Sequence, residues 1–537
     1  MDYRNPAECL EAINNLHPVN VDETHATLTT MLQALADASP AANQHLEVLE
    51  ACREAVALAQ AETARHYALQ PLPPDSAGNA TLLRVVGLWR LMARSYAQIT
   101  RRDAAAGTLD DQRALLSQRR VFYAGQSALE YYRAHRALPA QVWAELHESF
   151  SMAEAQGVAR VRVADALNEV WHAQSATEAF IAVLLVDLSN PFGRSSREFG
   201  WICRWAQRFA PYCDLLAEGE VGDEVKPTAY GLNLGLDHGL RPIGVLAKGA
   251  ALRRFEGAKL AGQIQAVLNQ FKQGVRPVAL GLGEDCPVEA SARLLLSLYR
   301  PWGLGSAGRK FPRRGCQGRA ELTSDWLSVG FHVGGRLFEQ PIGGSTPRSL
   351  RSDITLLTFG ERAAEVDAAD SAQQRQREAE KHGFVCERWE MLDQSVGGFR
   401  LQHRPRAERI EYHQLVGIRP PDSAHFLLGQ ISWLMYREDG VMEIGVQMLN
   451  GMPKVVAVRQ IGLNAGPRSA YQQAFWLPET PALKRPPSVV LPGAWYQPHR
   501  VIEVHDGKPR QFRLTQLLLR GANFDQVAYE VVSESGT

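Results

Sequence analysis

The sequence predicts a multidomain α+β protein, in which a helical N-terminal region precedes a β-rich C-terminal half. Residues 1–217 contain one segment after another with apolar side chains at helical spacing. Proline, glycine and asparagine separate these segments, and short links of this kind favour antiparallel helix pairs, as in a helical bundle or a series of helical hairpins. After residue 303 the pattern changes to short apolar runs bounded by Gly, Pro and Asp-Gly, which is typical of strands.

The segment 81–99 illustrates the helical pattern of the N-terminal region. Its apolar side chains recur every three or four positions, at Leu82, Val85, Val86, Trp89, Met92, Tyr96 and Ile99. Thr81 is the predicted N-cap of this helix. Further helices are predicted over 117–135, 140–155, 163–185 and 197–216. Because arrays of paired helices commonly present surfaces to other proteins, residues 1–217 are predicted to form an interaction domain for an unidentified protein partner.

Composition restricts the class of protein. Lys plus Arg and Asp plus Glu each number 58 among 537 residues, so the net charge is zero. We therefore expect no nucleic-acid partner and no charged membrane surface. The first residues lack the apolar core that a signal peptide would have. The sequence contains no run of 18 apolar residues, so we expect no membrane insertion. The seven cysteines form no C-x-x-C pair, which favours a cytoplasmic location with reduced thiols.

The most informative motif is Asp393-Gln394-Ser395-Val396-Gly397-Gly398, of the form D-x-S-x-x-G. Apolar runs at 384–392 and 399–401 flank it, which predicts two strands joined by a tight loop. Asp393 and Ser395 stand at alternate positions, so two short polar groups point in one direction. Gly397 and Gly398 are expected to permit positive φ and a close approach of the backbone to a ligand.

The residues after this motif strengthen its interpretation. They include Leu428-Gly429-Gln430-Ile431-Ser432-Trp433, of the form L-G-x-V-x-W with Ile for Val, the segment Glu443-Ile444-Gly445-Val446, and Asp439-Gly440 between the two. Asp-Gly between such runs predicts a type I′ hairpin turn. Together these elements resemble the PilZ domain family, whose motif is R-x-x-x-R followed by [D/N]-x-S-x-x-G. The resemblance implies an antiparallel β-barrel that binds the bacterial second messenger cyclic di-GMP.

The arginine half of the PilZ motif has two candidates. Arg309 and Arg313 fit R-x-x-x-R, and Arg314 adds a third guanidinium. They precede Asp393 by more residues than is usual in the family, which an inserted, highly charged helix at 359–382 would explain. Arg375 and Arg377, near the end of that helix, are the competing arginines, although their spacing does not fit R-x-x-x-R.

These residue types suit the implied ligand. Arginine pairs bidentately with phosphate or with the O6/N7 edge of guanine, and its plane can stack on the base. A carboxylate and a hydroxyl accept hydrogen bonds from the other edge of guanine or from ribose hydroxyls. The competing interpretation is an Asx-type turn at Asp393 beside an exposed basic loop. Gly303, Gly305 and Gly308 spell G-x-G-x-x-G, but a helical pattern precedes them and Pro312 follows, so they predict a hinge rather than a dinucleotide site.

The complete prediction has four parts. Residues 1–217 form the helical interaction domain, 218–302 a mixed α/β connector, 303–480 a PilZ-like β-barrel with the inserted helix 359–382, and 481–537 a small C-terminal β extension. The predicted ligand-binding residues are Arg309, Arg313, Arg314, Asp393, Ser395, Gly397 and Gly398. No catalytic or metal-ligand spacing occurs, so we expect no enzyme activity and no metal or cofactor. The resemblance to the PilZ family implies that the protein is a cyclic-di-GMP effector. The alternative is a nucleotide-free scaffold that retains a PilZ-like fold for protein contacts.

Overall fold

Two compact units make up the chain in the computed structural model, which describes residues 2–16, 20–70, 72, 74–217, 229–305, 312–341, 374–384, 386–404, 410–461, 470–481 and 486–532. The helical unit comprises Met1–Lys310 with Met435–Glu438. The β unit comprises Phe311–Leu434 with Asp439–Thr537. Helices dominate the first unit and strands the second, so the predicted multidomain α+β class is confirmed.

Sequential helices pack against one another in the helical unit, as α2 does with α3, α3 with α4, and α4 with α5. The helices are α1 (Pro6–Asn14), α2 (Val21–Ala38), α3 (Ala42–Ala68), α4 (Ser76–Asp103), α5 (Arg113–Arg133), α6 (Val142–Ala155), α7 (Ala176–Leu188), α8 (Ser196–Phe209), α9 (Ala258–Lys272) and α10 (Val288–Tyr299). Their inward faces join in one apolar core. This arrangement matches the predicted series of helical hairpins.

Helix α4 follows the predicted apolar stripe but begins before the predicted residue. All seven apolar side chains of the stripe are buried. Asp75 is the N-cap, since its carboxylate accepts a hydrogen bond of 2.6 Å from the backbone N–H of Gly78. Thr81 lies inside the helix, where its hydroxyl donates to the carbonyl of Ala77. The prediction of Thr81 as N-cap was therefore wrong, because the carboxylate of Asp75 caps the helix six residues earlier.

Short strands interrupt the helical unit where longer helices were expected. Strands β1 (Val163–Ala164) and β2 (Ala173–Gln174) pair with each other, so α7 begins at Ala176 rather than at residue 163. Asp165 lies buried between them, and its carboxylate accepts from Arg53 Nη2 at 2.7 Å. This charge-assisted contact links residues 112 positions apart, so no local pattern could predict it.

The predicted connector is part of the helical unit. Its strands form one four-stranded sheet in the order β3-β6-β4-β5: β3 (Asp214–Ala217), β4 (Tyr230–Asn233), β5 (Arg241–Pro242) and β6 (Leu252–Glu256). Strand β3 falls within the predicted helical domain, whereas β6 belongs to the predicted connector. The pairing of β3 with β6 therefore joins the two predicted segments into one unit.

The first barrel of the β unit contains the D-x-S-x-x-G motif. Its elements are β7 (Arg314–Gly315), β8 (Arg319–Thr323), α11 (Trp326–Gly334), β9 (Glu387–Ser395), β10 (Gly398–His403), β11 (Leu415–Arg419), β12 (Leu427–Tyr436) and β13 (Met442–Met448). The sheet order is β10-β13-β12-β11-β8-β9-β7, and the further pairing of β9 with β10 closes six of these strands into a ring. Strand β7 pairs with β9 beside that ring.

Close packing explains why strand β13, which contains the PilZ-like segment 443–446, has a glycine at position 445. A Cβ atom at Gly445 would lie 2.1 Å from Trp433 Nε1, so the indole occupies the space that a side chain at position 445 would need.

The predicted hairpin between β12 and β13 is confirmed, but its turn is not type I′. The loop spans residues 437–441, and of Asp439 and Gly440 only Gly440 has a positive φ, of 78°.

The C-terminal β segment is larger than predicted, because it forms a complete barrel. Its strands are β14 (Lys454–Gln460), β15 (Gln472–Leu477), β16 (Ser488–Pro492), β17 (Val501–His505), β18 (Pro509–Arg520) and β19 (Phe524–Val531), closed in the order β14-β15-β16-β19-β18-β17. The predicted boundary at 480/481 was wrong, since β14 and β15 pair with strands of this barrel. The proline-rich stretch 478–487 falls in sequence between β15 and β16, two paired strands of this barrel, and so does not mark a domain boundary.

Helix α11 and an apolar cluster connect the two barrels. The cluster contains Val329, Leu415, Leu428, Leu449, Phe475, Leu477, Val490 and Phe524. Gln473 of β15 donates to the carbonyl of Trp326 at 2.6 Å, and a Cβ at Gly330 would lie 2.0 Å from the same side chain. The shared core makes the two barrels one compact unit.

The predicted inserted helix lies partly within the described residues. Of the predicted inserted helix 359–382, residues 359–373 lie outside the described part of the chain, and residues 374–382 are helical.

Among the helices of the described ranges, none is both long and apolar enough to cross a lipid bilayer.

His45 predicts an acid-sensitive helical unit. This α3 residue is fully buried, and neither ring nitrogen has a hydrogen-bond partner among the described residues. Burial, with a smaller contribution from Arg102, lowers its pKa to about 4. Since the unfolded chain protonates this imidazole at a higher pH than the folded one does, stability is lost as pH falls from about 6.5 towards 4.

We expect His45→Leu to reduce the stability difference between pH 7 and pH 5 by about 2 kcal/mol. Urea unfolding at the two pH values, followed by circular dichroism at 222 nm, measures this difference. His66→Leu on the exposed face of the same helix is the matched control. Equal acid sensitivity in the wild type and in His45→Leu would show that His45 is not the acid-sensitive group.

Candidate functional site

One residue from each half of the predicted PilZ motif, Arg313 and Asp393, lies at the C-terminal end of strand β9. Strand β7 pairs with this end, so that Arg314 lies opposite Gln394 and Gly315 opposite Asp393. The preceding residue, Arg313, donates from Nη1 to Asp393 Oδ1 at 2.7 Å. The fold therefore brings residues 80 positions apart into direct contact.

The contact between Arg313 and Asp393 is a partly exposed ion pair. Their side chains are 30% and 21% exposed. Ion pairs of this kind contribute about 0–1 kcal/mol to stability. A phosphate or a guanine edge can therefore replace Asp393 as the partner of Arg313 at small cost, and the released carboxylate can accept hydrogen bonds from the same ligand.

The D-x-S-x-x-G loop is a two-residue hairpin turn between β9 and β10. Ser395 pairs with Gly398, and Val396 and Gly397 occupy the exposed turn. The hydroxyl of Ser395 donates to the Gly398 carbonyl at 3.4 Å, which is long for a hydrogen bond and leaves this hydroxyl available to a ligand.

Gly398 is required for a different reason from the one expected. Its φ is not in the left-handed region, so conformational freedom does not explain it. A Cβ at this position would instead lie 2.1 Å from the carbonyl oxygen of Val446 on β13. The expectation of positive φ was wrong for both Gly397 and Gly398. At Gly398 it is the backbone of the neighbouring strand that excludes a side chain.

Arg400 is a residue of this site that the sequence interpretation missed. It lies directly opposite Asp393 in the hairpin. Its Nε and Nη2 atoms donate to Glu443 Oε2 at 3.0 and 2.6 Å. The register of a two-residue turn closed by Ser395 and Gly398 would have placed Arg400 here, so the information was present in the motif.

A cysteine lies at the same end of β9. The backbone N–H of Cys316 lies 3.4 Å from the carbonyl of Leu392 and donates to it. Partial burial, and then the negative charge of Asp393, raise the pKa of the Cys316 thiol. This thiol is a native chemical reporter for the space around Asp393.

The structure describes three of the four other candidate arginines. Arg314 is exposed on β7, and Arg309 lies outside the described residues. Arg375 and Arg377, the competing pair, are on the helical segment 374–382. Arg375 lies against α11, where its Nη1 is 3.8 Å from the Cβ position of Gly335, and it lines a separate cavity. Of the two candidate pairs, the structure thus brings an arginine of the first to Asp393.

The glycine-rich stretch before these arginines is only partly a candidate hinge. A Cβ at Gly303 would lie 2.6 Å from the Cβ of Ala261, so this glycine packs tightly against α9. The adjacent Trp302 is fully buried and donates to the Leu185 carbonyl at 2.7 Å. The expectation of a permissive hinge at Gly303 was wrong, because a large anchored side chain holds it in place. Gly308 lies outside the described residues.

Comparison with known proteins identifies two regions. Residues 7–219 match the family described as the cyclic-di-GMP receptor FimW, N-terminal domain. Residues 456–532 match the FimW C-terminal beta-barrel domain. These matches cover the predicted helical domain and the second barrel, and together they span more than half of the chain; the first barrel and its motif lie between them. No curated protein sequence matches the chain.

We expect Gly398→Ala to destabilise the β unit by about 1–3 kcal/mol, because the added methyl group must displace the Val446 backbone. Gly397→Ala, one position away in the exposed turn, is the matched control and should change stability by less than about 0.5 kcal/mol. Urea unfolding monitored by tryptophan fluorescence compares the two variants. Wild-type stability for Gly398→Ala would contradict the packing explanation.

Proposed function

We propose that this protein, which belongs to the FimW family of cyclic-di-GMP receptors, itself binds cyclic di-GMP at the end of strand β9. The observation that carries the proposal is the contact between Arg313 and Asp393. It unites a cation suited to phosphate with a carboxylate suited to guanine, on a strand that the barrel holds in place.

Each residue of the proposed site has a chemical role. Arg309, Arg313 and Arg314 supply guanidinium groups that pair with the two phosphates or stack on a base. Asp393 and Ser395 accept from the N1–H and N2–H₂ groups of guanine, or from ribose hydroxyls. Gly397 leaves the turn without a side chain, and Gly398 keeps β10 close to β13, which holds the loop in position.

The arginine assignment is tested by two matched substitutions. Removal of a charge-assisted contact costs roughly 1.5–3 kcal/mol, so Arg313→Ala should weaken cyclic-di-GMP binding about ten- to hundredfold. Arg375→Ala removes an arginine of the same unit that does not contact Asp393, and it should leave the affinity within about twofold. Isothermal titration calorimetry measures both constants.

Two results would contradict this assignment. An equal or reversed ranking of the two affinities would contradict the choice of Arg313 over Arg375 as the arginine that binds the ligand. Absence of heat with the folded wild-type protein at tens of micromolar would remove cyclic di-GMP as the ligand and leave the scaffold function, in which the barrel serves protein contacts alone.

The proposal extends to how binding is transmitted. The chain passes from the helical unit to the β unit between Lys310 and Phe311, and the two arginines of R-x-x-x-R precede and follow this point. Ligand held by both Arg309 and Arg313 would order the linking segment and so change the helical unit's affinity for a protein partner. The helical unit is the proposed partner surface, since paired helices present extended faces.

Hydrogen exchange tests this transmission. We expect saturating cyclic di-GMP to slow amide exchange markedly across residues 304–314, because the bound arginines restrict the segment. Residues 299–303, adjacent to the anchored Trp302, are the internal control and should be protected with or without ligand. Unchanged exchange across 304–314 in a protein that binds the ligand would show that the signal does not pass through this segment.

A further inference from the structure

We propose that the β unit holds a second ligand site, which takes a purine nucleoside monophosphate. A cavity of about 700 Å³ lies between the end of α11, residues 375–384, and strands β8, β9 and β11. Pockets of about 300–1,000 Å³ are typical of small-molecule sites. None of the predicted cyclic-di-GMP residues that the structure describes lines this cavity, so the inference does not rest on the proposed function.

Two arginines of the cavity flank one glutamate across the sheet. Arg388 on β9 lies opposite Glu321 on β8, and Glu321 lies opposite Arg419 on β11. Arg419 Nη2 donates to Glu321 Oε2, so this glutamate has a partner. Arg388 is exposed and forms no ion pair within the described part of the chain. The row therefore carries one uncompensated positive charge at the cavity.

A third arginine reaches the cavity from a different element. Arg375 lies beside Gly335, the C-cap of α11. The cavity wall also contains Glu380, whose Oε1 accepts from Gln376 at 3.3 Å. Among the described residues of the wall, three arginines stand against two glutamates, and the lack of an ion pair there at Arg388 favours an anionic ligand.

Aromatic rings form the apolar part of the wall. Phe331 and Phe426 are buried, and Phe384 is half-buried. The Arg419 guanidinium lies 5.2 Å from the Phe426 ring centroid, and the His332 ring lies 5.0 Å from it at 33°. Such surfaces stack on a purine, because every base offers a π face.

His332 adds an unsatisfied polar atom to the same wall. Its Nε2 is buried and has no hydrogen-bond partner among the described residues. Burial lowers the pKa of His332, which favours the neutral form of the ring. A ligand with a ring nitrogen, an amino group or a hydroxyl would form a hydrogen bond with this atom and so remove the cost of burying it without a partner.

The two proposed sites lie near opposite ends of β9. Arg388 and Asp393 are five positions apart on this strand. Five residues of extended chain span about 16 Å, so a ligand of mononucleotide size occupies one site without reaching the other. The cavity combines cations for a phosphate with rings for a base, and a nucleoside monophosphate has both groups.

Titration of the full-length protein with AMP and GMP tests this site, with adenosine and inorganic phosphate as the partial ligands. Both mononucleotides lack the second phosphate and base of cyclic di-GMP, and AMP also lacks the guanine edge. We expect at least one mononucleotide to bind more than tenfold more tightly than its nucleoside or than phosphate. Arg388→Ala should weaken this binding about tenfold, the effect of one charge-assisted contact.

Arg513→Ala is the matched control, since Arg513 is an exposed arginine on a strand of the second barrel. Arg313→Ala separates the two sites, because it removes the cation beside Asp393. Neither substitution should change mononucleotide affinity by more than twofold. Circular dichroism and the urea midpoint of each variant confirm that it is folded.

Two native cysteines report which site is occupied. Cys386 lines the cavity, and Cys316 lies near Asp393; neither is in a disulfide. We expect the mononucleotide to slow alkylation of Cys386 by iodoacetamide while leaving that of Cys316 unchanged, as peptide mass spectrometry measures.

Three results would overturn the second site. One is the absence of AMP and GMP binding at millimolar concentration to the folded protein. Another is phosphate or nucleoside binding as tight as that of the mononucleotide, because the arginines and the aromatic rings of the cavity would then not both contribute to binding. The third is mononucleotide binding that Arg313→Ala weakens and Arg388→Ala does not, or that protects Cys316 instead of Cys386.

Discussion

Strand β9 is the constraint on which the β unit depends, because it pairs with three strands. Strands β7 and β8 lie along one edge of it and β10 along the other, so β9 closes the first barrel. Its alternation is strict at the centre, where Trp389 and Met391 are buried and Glu390 is exposed. A slip of one residue would expose both apolar side chains, so burial fixes the register. That register places Asp393 beside Arg313, and Arg388 in the cavity wall.

The proposed ligand site combines a rigid backbone with weakly held side chains. Gly398 fits against the carbonyl of Val446, which leaves no room for adjustment. Arg313 and Asp393 form an exposed pair worth at most about 1 kcal/mol. A receptor benefits from this difference, since a fixed loop reduces the entropy lost on binding and a weak internal ion pair competes little with the ligand.

Local chemistry made part of this structure predictable from sequence. The stripe in α4 repeats every three or four residues, and the motif hairpin follows from its own turn residues. The start of the second barrel was missed because Asn450, Gly451 and Pro453, between β13 and β14, are ordinary turn residues that do not distinguish a barrel boundary from another loop of the same barrel. The strands around Asp165 were missed because they depend on Arg53 and Gln118, which are distant in sequence. Contacts between distant polar residues leave no periodic pattern.

The closed architecture limits how a ligand at β9 can act on the helical unit. A ligand shifts an equilibrium only by its differential affinity for two arrangements. The two barrels share a core through Val329, Phe475 and Phe524, and close-packed cores of this kind do not deform continuously. Under the proposed function, we therefore expect the two barrels to keep a single arrangement when the ligand binds. We then expect the conformational change in the chain segment between Trp302 and β7. Trp302 is held in the helical unit by its hydrogen bond to Leu185, and β7 is held in the β unit by its pairing with β9.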